Sequence, residues 1–87
     1  MGSGKRGALE IFDSILTSLA DDQLKKTHLT YKANLDSRLA CKYINSLMKL
    51  ELVSKSKSDP SFYMITPKGR EFLNQYNGLV KMIEYNV

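Results

Sequence analysis

The sequence predicts a single α+β domain that is mainly helical, with three helices, a two-stranded hairpin and a further helix at its C-terminal end. Apolar residues recur at helical spacing in the segments assigned to helices, and two short β-prone runs flank a polar Asp59-Pro60 step. With 87 residues, the chain is too short for two independent cores. Its 43% hydrophobic and 25% charged residues are typical of a globular domain.

The composition does not support several classes of protein. No stretch approaches the roughly 18 apolar residues of a membrane span, and no hydrophobic run follows the N-terminal basic residues as in a secretory signal. One cysteine and one histidine leave no disulfide and no zinc set, and we expect no cofactor. We therefore expect a cytoplasmic protein, with residues 1–7 as a flexible basic N-terminus whose first four residues are treated as a cloning remnant.

Positive charge is concentrated in the middle of the chain. The net charge is +4, but the segment from Lys25 to Lys57 holds eight basic and two acidic residues and carries +6. The rest of the chain therefore sums to −2. A basic block inside an otherwise balanced fold indicates a polyanionic partner. The alternative is a chance clustering of lysines on a soluble surface.

The first helix is predicted over Ala8–Ala20, and we expect it to act as a scaffold. Asp21 and Asp22 follow it, and the helix dipole disfavours acidic residues at a helix C-terminus, so the helix should end by about Ala20. Helical spacing gives an apolar face of Ala8, Phe12, Ile15, Leu16 and Leu19, and a polar face of Glu10, Asp13, Ser14, Thr17 and Ser18.

A shorter second helix is predicted over about Thr27–Ala33, with Thr27 as its N-cap. Asn34 tolerates the left-handed conformation that ends a helix, and Leu35 would fill the angle to the next helix. Tyr31 is expected at the edge of the core. A short helix, a turn of three or four residues and another helix together make a helix-turn-helix.

The third helix, over residues 36–51, takes the recognition position of this motif. Asp36 is a good N-cap because its carboxylate can accept from N–H groups of the first turn. The predicted apolar stripe comprises Leu39, Tyr43, Leu47 and Leu50, with Ala40 and Ile44 beside it. The opposite face, which suits insertion into a DNA major groove, comprises Arg38, Cys41, Lys42, Asn45 and Lys49. Alternatively, it is an ordinary solvated surface.

The hairpin that follows, residues 52–65, would form a wing. Leu52–Ser56 and Phe62–Ile65 are its predicted strands, and Lys55 and Lys57 lie near its tip, where they could reach a nucleic-acid backbone. Because a two-stranded hairpin is not stable alone, the wing must pack on the helices. Residues 8–66 thus make up the predicted winged helix-turn-helix domain.

The last helix is predicted from Pro67 towards Tyr85, in a segment of residues 67–87. Thr66 is its expected N-cap and Pro67 its first residue. Phe72 and Leu73 would complete the domain core. A continuous helix through Asn77-Gly78 is favoured over a break there. Beyond the core, an apolar seam has nothing in its own chain to pack on, and we expect it to dimerise; it comprises Tyr76, Leu79, Val80, Ile83 and Val87.

The run KTHLTYKANLDSRLACKYINSLMKLELV, followed by FYMITPKGREFL, resembles an archaeal family of small winged-helix DNA-binding proteins. That family includes chromatin-associated members that dimerise through a long C-terminal helix. The resemblance implies a winged helix-turn-helix, DNA binding that is sequence-tolerant or regulatory, and a homodimer. The sequence departs from the family pattern at Ser37, where such proteins often have an aromatic residue, and in its short terminal helix.

The leading functional hypothesis is a double-stranded DNA-binding protein that acts as a transcriptional regulator or in chromatin, associated with the nucleoid. Arg38 would contact a base edge, most naturally guanine, or a phosphate, and Asn45 could pair with adenine. Cys41 is a small side chain that allows close approach. The full predicted DNA-contact set is Lys26, Thr27, Ser37, Arg38, Cys41, Lys42, Asn45, Lys49, Lys55 and Lys57.

Two other functions are weaker alternatives. A protein–protein interaction module would use the winged-helix scaffold and the C-terminal helix, but it would not need the basic block. RNA binding would require exposed aromatic residues on the basic face, and none is expected there. An enzyme is the least supported class, because Cys41 has no evident acid–base partner and no small-molecule substrate is indicated.

Overall fold

The computed structural model describes residues 7–85, and the predicted mainly helical α+β fold is confirmed within that range. The predicted N-terminal arm, apart from Gly7, lies outside the described residues, as does Val87. The elements in chain order are α1 Ala8–Ala20, β1 Leu24–Lys25, α2 Lys26–Lys32, α3 Ser37–Lys49, β2 Val53–Lys55, β3 Phe62–Ile65 and α4 Pro67–Tyr85.

The sheet has one strand more than the predicted wing. Its order is β1-β3-β2, with both pairs antiparallel. Leu24 of β1 lies opposite Tyr63, and Val53 of β2 lies opposite Ile65. β1 is missing from the sequence-based prediction because two residues are too short to show an alternating pattern. It attaches the wing to the helical body through hydrogen bonds, in addition to side-chain packing.

The core lies between the four helices and one face of the sheet. Ile15, Leu16 and Leu19 of α1 are fully or nearly fully buried, as predicted. Three positions on α1 differ from the predicted apolar face, since Ala8 is exposed, Ser18 is buried, and Ile11, which that face does not include, is buried. The Ser18 hydroxyl donates to the Ser14 carbonyl oxygen at 2.8 Å, which allows a polar side chain on the core face.

α2 begins one residue before the predicted start, and its N-cap is Lys25, so the prediction of Thr27 as N-cap is wrong. Tyr31, expected at the core edge, is 83% exposed. The reason is that this short helix buries only the side that carries Leu29. The predicted left-handed residue is confirmed, with Asn34 at φ 58°.

α3 begins as predicted, with the Asp36 carboxylate accepting from the Leu39 N–H at 2.8 Å. The buried stripe is narrower than predicted, because Leu39 and Leu50 are 37% and 48% exposed. The stripe is centred on Ala40, Ile44 and Leu47, at steps of four and three residues, and all three are essentially inaccessible to solvent. Tyr43 is half-buried beside them.

The chain leaves α3 through a left-handed residue that the sequence does not signal. Glu51 has φ 64°, and the Leu52 N–H donates back to the Leu47 carbonyl oxygen at 2.9 Å, as in a Schellman C-cap. The turn leads directly into β2. The predicted cap of the last helix is confirmed, since the Thr66 hydroxyl accepts from the Gly69 N–H at 2.9 Å.

α4 runs through Asn77-Gly78 without interruption. Leu73 is buried, and the Phe72 ring meets the Phe12 ring of α1 edge-on, with centroids 6.2 Å apart. Tyr76 does have a partner in its own chain, which corrects the prediction, because its ring stacks on Phe72 at 6.2 Å with 5° between the planes. Among the described residues, no helix is long and apolar enough to cross a membrane.

Candidate nucleic-acid interface

One side of α3 carries basic and amide side chains with no acidic residue along the helix. Arg38, Lys42, Asn45 and Lys49 are all exposed, and we call these four residues the basic face of α3. They stand opposite the buried stripe of Ala40, Ile44 and Leu47, as the sequence predicts. The whole core side of the helix is used for packing, so the basic face is presented to solvent in a fixed orientation.

Cys41 lies at one margin of the basic face. It is half-buried, and its Sγ accepts from the Asn45 Nδ2 at 3.8 Å. The side-chain carbonyl of Asn45 is not involved in this weak contact. No group of three or more His, Cys, Asp or Glu residues that could hold a metal ion occurs within residues 7–85.

Aromatic contacts fix α3 on the domain. The Phe12 ring of α1 meets the Tyr43 ring of α3 edge-on at 5.9 Å, and the same Phe12 ring contacts Phe72 of α4. The Lys42 ammonium lies 5.4 Å from the centre of the Tyr43 ring, within cation–π range. The rings thereby anchor the side of α3 next to the basic face.

A cleft of about 280 Å³ opens between α2 and α3, and it is lined by Lys26, Thr27, Thr30 and Ser37. Three of these four residues belong to the predicted contact set, and the structure brings them together. Thr30 is the addition; its hydroxyl donates to the Lys26 carbonyl oxygen at 2.7 Å, which leaves the oxygen free to accept. The Lys26 ammonium and the hydroxyls of Thr27 and Ser37 can donate to an anion, whereas the Thr30 proton is already engaged, and no acidic side chain lines this cleft.

The wing presents Lys55 and Lys57 to solvent. Its turn is held by Asp59, whose carboxylate accepts from the hydroxyl and the N–H of Ser61 at 2.7 and 3.0 Å. These two hydrogen bonds lower the pKa of Asp59, and the positive charge of Lys25 contributes further. Lys25 is a basic residue near the wing that the predicted contact set omits; its ammonium lies 5.5 Å from the centre of the Phe62 ring of β3.

Acidic residues line a separate surface. A cleft of about 500 Å³ lies between the end of α1, the wing turn and the start of α4, with Asp21, Asp22, Asp59 and Arg70 among its lining residues. The Arg70 guanidinium donates to the Ala20 carbonyl oxygen at 3.0 Å and joins α4 to α1. None of the residues of the predicted contact set lines this cleft.

The distal part of α4 exposes an apolar stripe. Leu79 and Ile83 are more than half exposed, and Val80 is half-buried. Tyr76 begins this stripe while stacking on Phe72, so the stripe is continuous with the domain core. The described part of the helix includes Tyr76, Leu79, Val80 and Ile83 of the predicted seam, whereas Val87 lies outside the described residues.

A family model for winged helix-turn-helix domains matches residues 5–84. The chain belongs to the winged helix-turn-helix family. This membership, in a family defined by a binding fold, agrees with the prediction that the chain is not an enzyme. The three-stranded sheet, the wing and the position of α3 are the features of that family that the structure displays.

Two similar proteins are archaeal. The winged-helix chain is 33% identical over 81 residues to the uncharacterized protein MJ0290 of Methanocaldococcus jannaschii, and it spans 37% of that protein's length. The crystal structure of Sso10a-2, a DNA-binding protein from Sulfolobus solfataricus, matches with a TM-score of 0.77 and 28% identity, over 92% of this chain and 84% of that one. These matches confirm the resemblance to archaeal winged-helix proteins.

A more distant structure shows the same fold. The transcriptional regulator BldR from Sulfolobus solfataricus matches with a TM-score of 0.67 and 21% identity, over 88% of this chain and 61% of that one. At this identity the comparison supports the architecture of the winged helix and its C-terminal helix.

Proposed function

We propose that this winged-helix protein binds double-stranded DNA as a homodimer and acts as a transcriptional regulator or chromatin-associated protein in the cytoplasm, on the nucleoid. In this proposal, α3 enters the major groove and the wing lies on the backbone. The observation that carries the proposal is the basic face of α3, which has no acidic residue and is anchored from behind by a fully buried stripe.

Each part of the proposed interface has a distinct role. Arg38 stands in the first turn of α3, the part of a recognition helix that reaches base edges, and its fork of donors matches guanine. Asn45 lies two turns further along and would read adenine only if the helix enters the groove deeply. The remaining members of the set would bind phosphates or allow close approach; they are Lys26, Thr27, Ser37, Cys41, Lys42, Lys49, Lys55 and Lys57.

Two further observations support DNA as the partner. The cleft lined by Lys26, Thr27, Thr30 and Ser37 lies beside the start of α3, where a backbone phosphate would pass if α3 lies in the groove. Sso10a-2, which shares 28% identity with this chain over nearly all of its length, is described as a DNA-binding protein. DNA binding by this chain is part of the proposal.

The proposed homodimer uses the apolar stripe of α4, with Leu79 and Ile83 as its exposed centre and Tyr76 and Val80 beside them. Val87 would extend the same stripe beyond the described residues. Exposed apolar residues at steps of three and four are typical of helices that pair. The same stripe also favours the second candidate function, a protein–protein interaction module in which another protein takes the place of the second copy.

The proposal is tested by measuring the affinity of charge-removal variants for duplex DNA. Arg38→Ala should weaken binding and relax base preference at one position, whereas Lys55→Ala should weaken binding to all sequences about equally. Lys81→Ala, an exposed lysine on α4, is the matched control and should bind as the wild type does. If Arg38→Ala and Lys55→Ala both bind like the control, the proposed docking is wrong and the interaction-module hypothesis gains support.

A further inference from the structure

Leu39 lies on the surface of α3 although its spacing in the sequence predicts a core residue. It is 37% exposed, whereas Ala40, Ile44 and Leu47 fill the core side of the same helix. Its backbone N–H is held by the Asp36 carboxylate at 2.8 Å, so it belongs to a fixed first turn. More than a third of this residue is therefore open to contact with a partner.

The position of Leu39 on the helix places it at the margin of the basic face. An α-helix turns by about 100° per residue, so Leu39 stands beside Arg38 and about 60° from Lys42 around the helix axis. The first turn of α3 thus exposes an apolar side chain next to an arginine. Both side chains are at the end of the helix that reaches deepest into a major groove when a recognition helix docks.

The major groove contains one apolar group that such a pair can read. Among the four standard bases, thymine alone presents a methyl group there, at its C5 position, while guanine presents two acceptors suited to arginine. As a deepening of the proposed function, on which this inference rests, we propose that Leu39 contacts the 5-methyl group of thymine. Leu39 thereby makes the protein favour thymine at a position next to the base that Arg38 contacts.

The second exposed leucine of this helix provides a control. Leu50 is 48% exposed, but it is the C-cap residue, about 16 Å along the helix axis from Leu39 at 1.5 Å per residue. It lies at the end of α3 that leads into the wing. A docking in which the first turn reaches the bases leaves Leu50 away from the thymine that Leu39 contacts.

The test uses uracil, which differs from thymine only in lacking the 5-methyl group. The affinity of the whole protein is measured for a random-sequence duplex pool and for the same pool made with uracil in place of thymine. Loss of one contacted methyl group should weaken binding to a given site about fourfold, the factor expected for one buried methylene-sized group. Because thymine occupies the contacted position in about a quarter of random sites, wild-type protein should bind the uracil pool about twofold more weakly for each protomer. Leu39→Ala should bring the ratio close to one, whereas Leu39→Met and Leu50→Ala should retain the wild-type ratio.

The complementary experiment adds a methyl group to the DNA instead of removing one. Replacing cytosine by 5-methylcytosine places the same methyl group in the groove, and it should increase the affinity of the wild type but leave that of Leu39→Ala unchanged. Equal wild-type affinity for the thymine and uracil pools would overturn the inference, as would a thymine preference that persists in Leu39→Ala. Failure to bind any pool at low salt would instead overturn the proposed DNA binding itself, so the two failures are distinguishable.

Discussion

The hydroxyl of Thr66 donates to the backbone carbonyl oxygen of Glu51 at 2.7 Å. The same hydroxyl oxygen accepts from the backbone N–H of Gly69, and the Thr66 N–H donates to the Leu52 carbonyl oxygen at 3.1 Å. One residue therefore joins the turn that ends α3 to the first turn of α4. Through it, the helix that carries the basic face is fixed to the helix that carries the proposed dimer stripe.

Thr66→Val should lower the free energy of unfolding by about 1–2 kcal/mol, because it removes the cap hydrogen bond to Gly69 and the bond to Glu51 while keeping a similar shape. Urea denaturation followed by circular dichroism measures the change. Thr27→Val is the matched control, since Thr27 is exposed and caps no helix, and it should change stability by less than about 0.5 kcal/mol. Equal effects of the two substitutions would contradict the capping role of Thr66.

The two glycines of α4 should respond in opposite directions to alanine. A Cβ on Gly69 would overlap the Leu52 carbonyl oxygen and lie 2.7 Å from the Ile65 Cγ1, so Gly69→Ala should destabilise the protein by about 1–3 kcal/mol. A Cβ on Gly78 would meet no atom within 4 Å, and Gly78→Ala should stabilise the helix by about 0.5–1 kcal/mol. Thermal unfolding measures the stability of both variants relative to the wild type. If both substitutions stabilised or both destabilised the protein, the packing described around Gly69 would be contradicted.

Asp59 should titrate below its ordinary pKa of 3.8, because the hydroxyl and the N–H of Ser61 both donate to its charged form. A lowered pKa in the folded state means that this group stabilises the wing turn above pH 3.8. That contribution is lost as the pH falls through the lowered pKa. Ser61→Ala should raise the pKa of Asp59 towards 3.8, as measured from its carboxylate carbon shift by NMR. A wild-type midpoint at or above 3.8 would disagree with the hydrogen bonds at Ser61.

Ile83→Glu should convert the proposed dimer to a monomer, because it places a charge in the centre of the apolar stripe of α4. Tyr85→Glu is the matched control; Tyr85 is also exposed and on α4, but two residues along the helix place it about 200° around the axis from Ile83. It should leave the mass in solution unchanged. Light scattering across a range of protein concentrations measures both. A monomeric wild-type protein would contradict the dimer, and a dimer that survives in Ile83→Glu would move the interface elsewhere.

The sequence predicts most of the fold because α1, α3 and α4 carry strong local signals, whereas α2 has no side-chain cap and its predicted N-cap, Thr27, is wrong. Asp36 and Thr66 cap the helices they were expected to cap, and α1 has the predicted bounds of Ala8–Ala20. Signals of this kind depend on contacts within a few residues. The short β1 has no such signal, since two residues become a strand only by pairing with β3.

The errors concern side chains whose burial depends on neighbouring elements. Tyr31 and Leu39 are apolar or aromatic at helical spacing, but α2 and α3 each bury a narrower side than spacing alone implies. Ser18 is buried because its hydroxyl is satisfied within its own helix. Thr30 lines the cleft with Lys26, Thr27 and Ser37 only because α2 and α3 pack together. In the sequence, the only indication of this cleft is that hydroxyl residues stand on both sides of the turn.

The account depends above all on DNA binding by the basic face of α3. The most direct measurement is a titration with random-sequence duplex DNA at 50 and 200 mM salt, with the mass of the complex determined in parallel. If each protomer neutralises about five phosphates, the dimer neutralises about ten, so its affinity should fall about 10⁵-fold between the two salt concentrations, and the bound species should contain two copies of the chain. An absence of binding at 50 mM salt, or binding that does not respond to salt, would contradict the account.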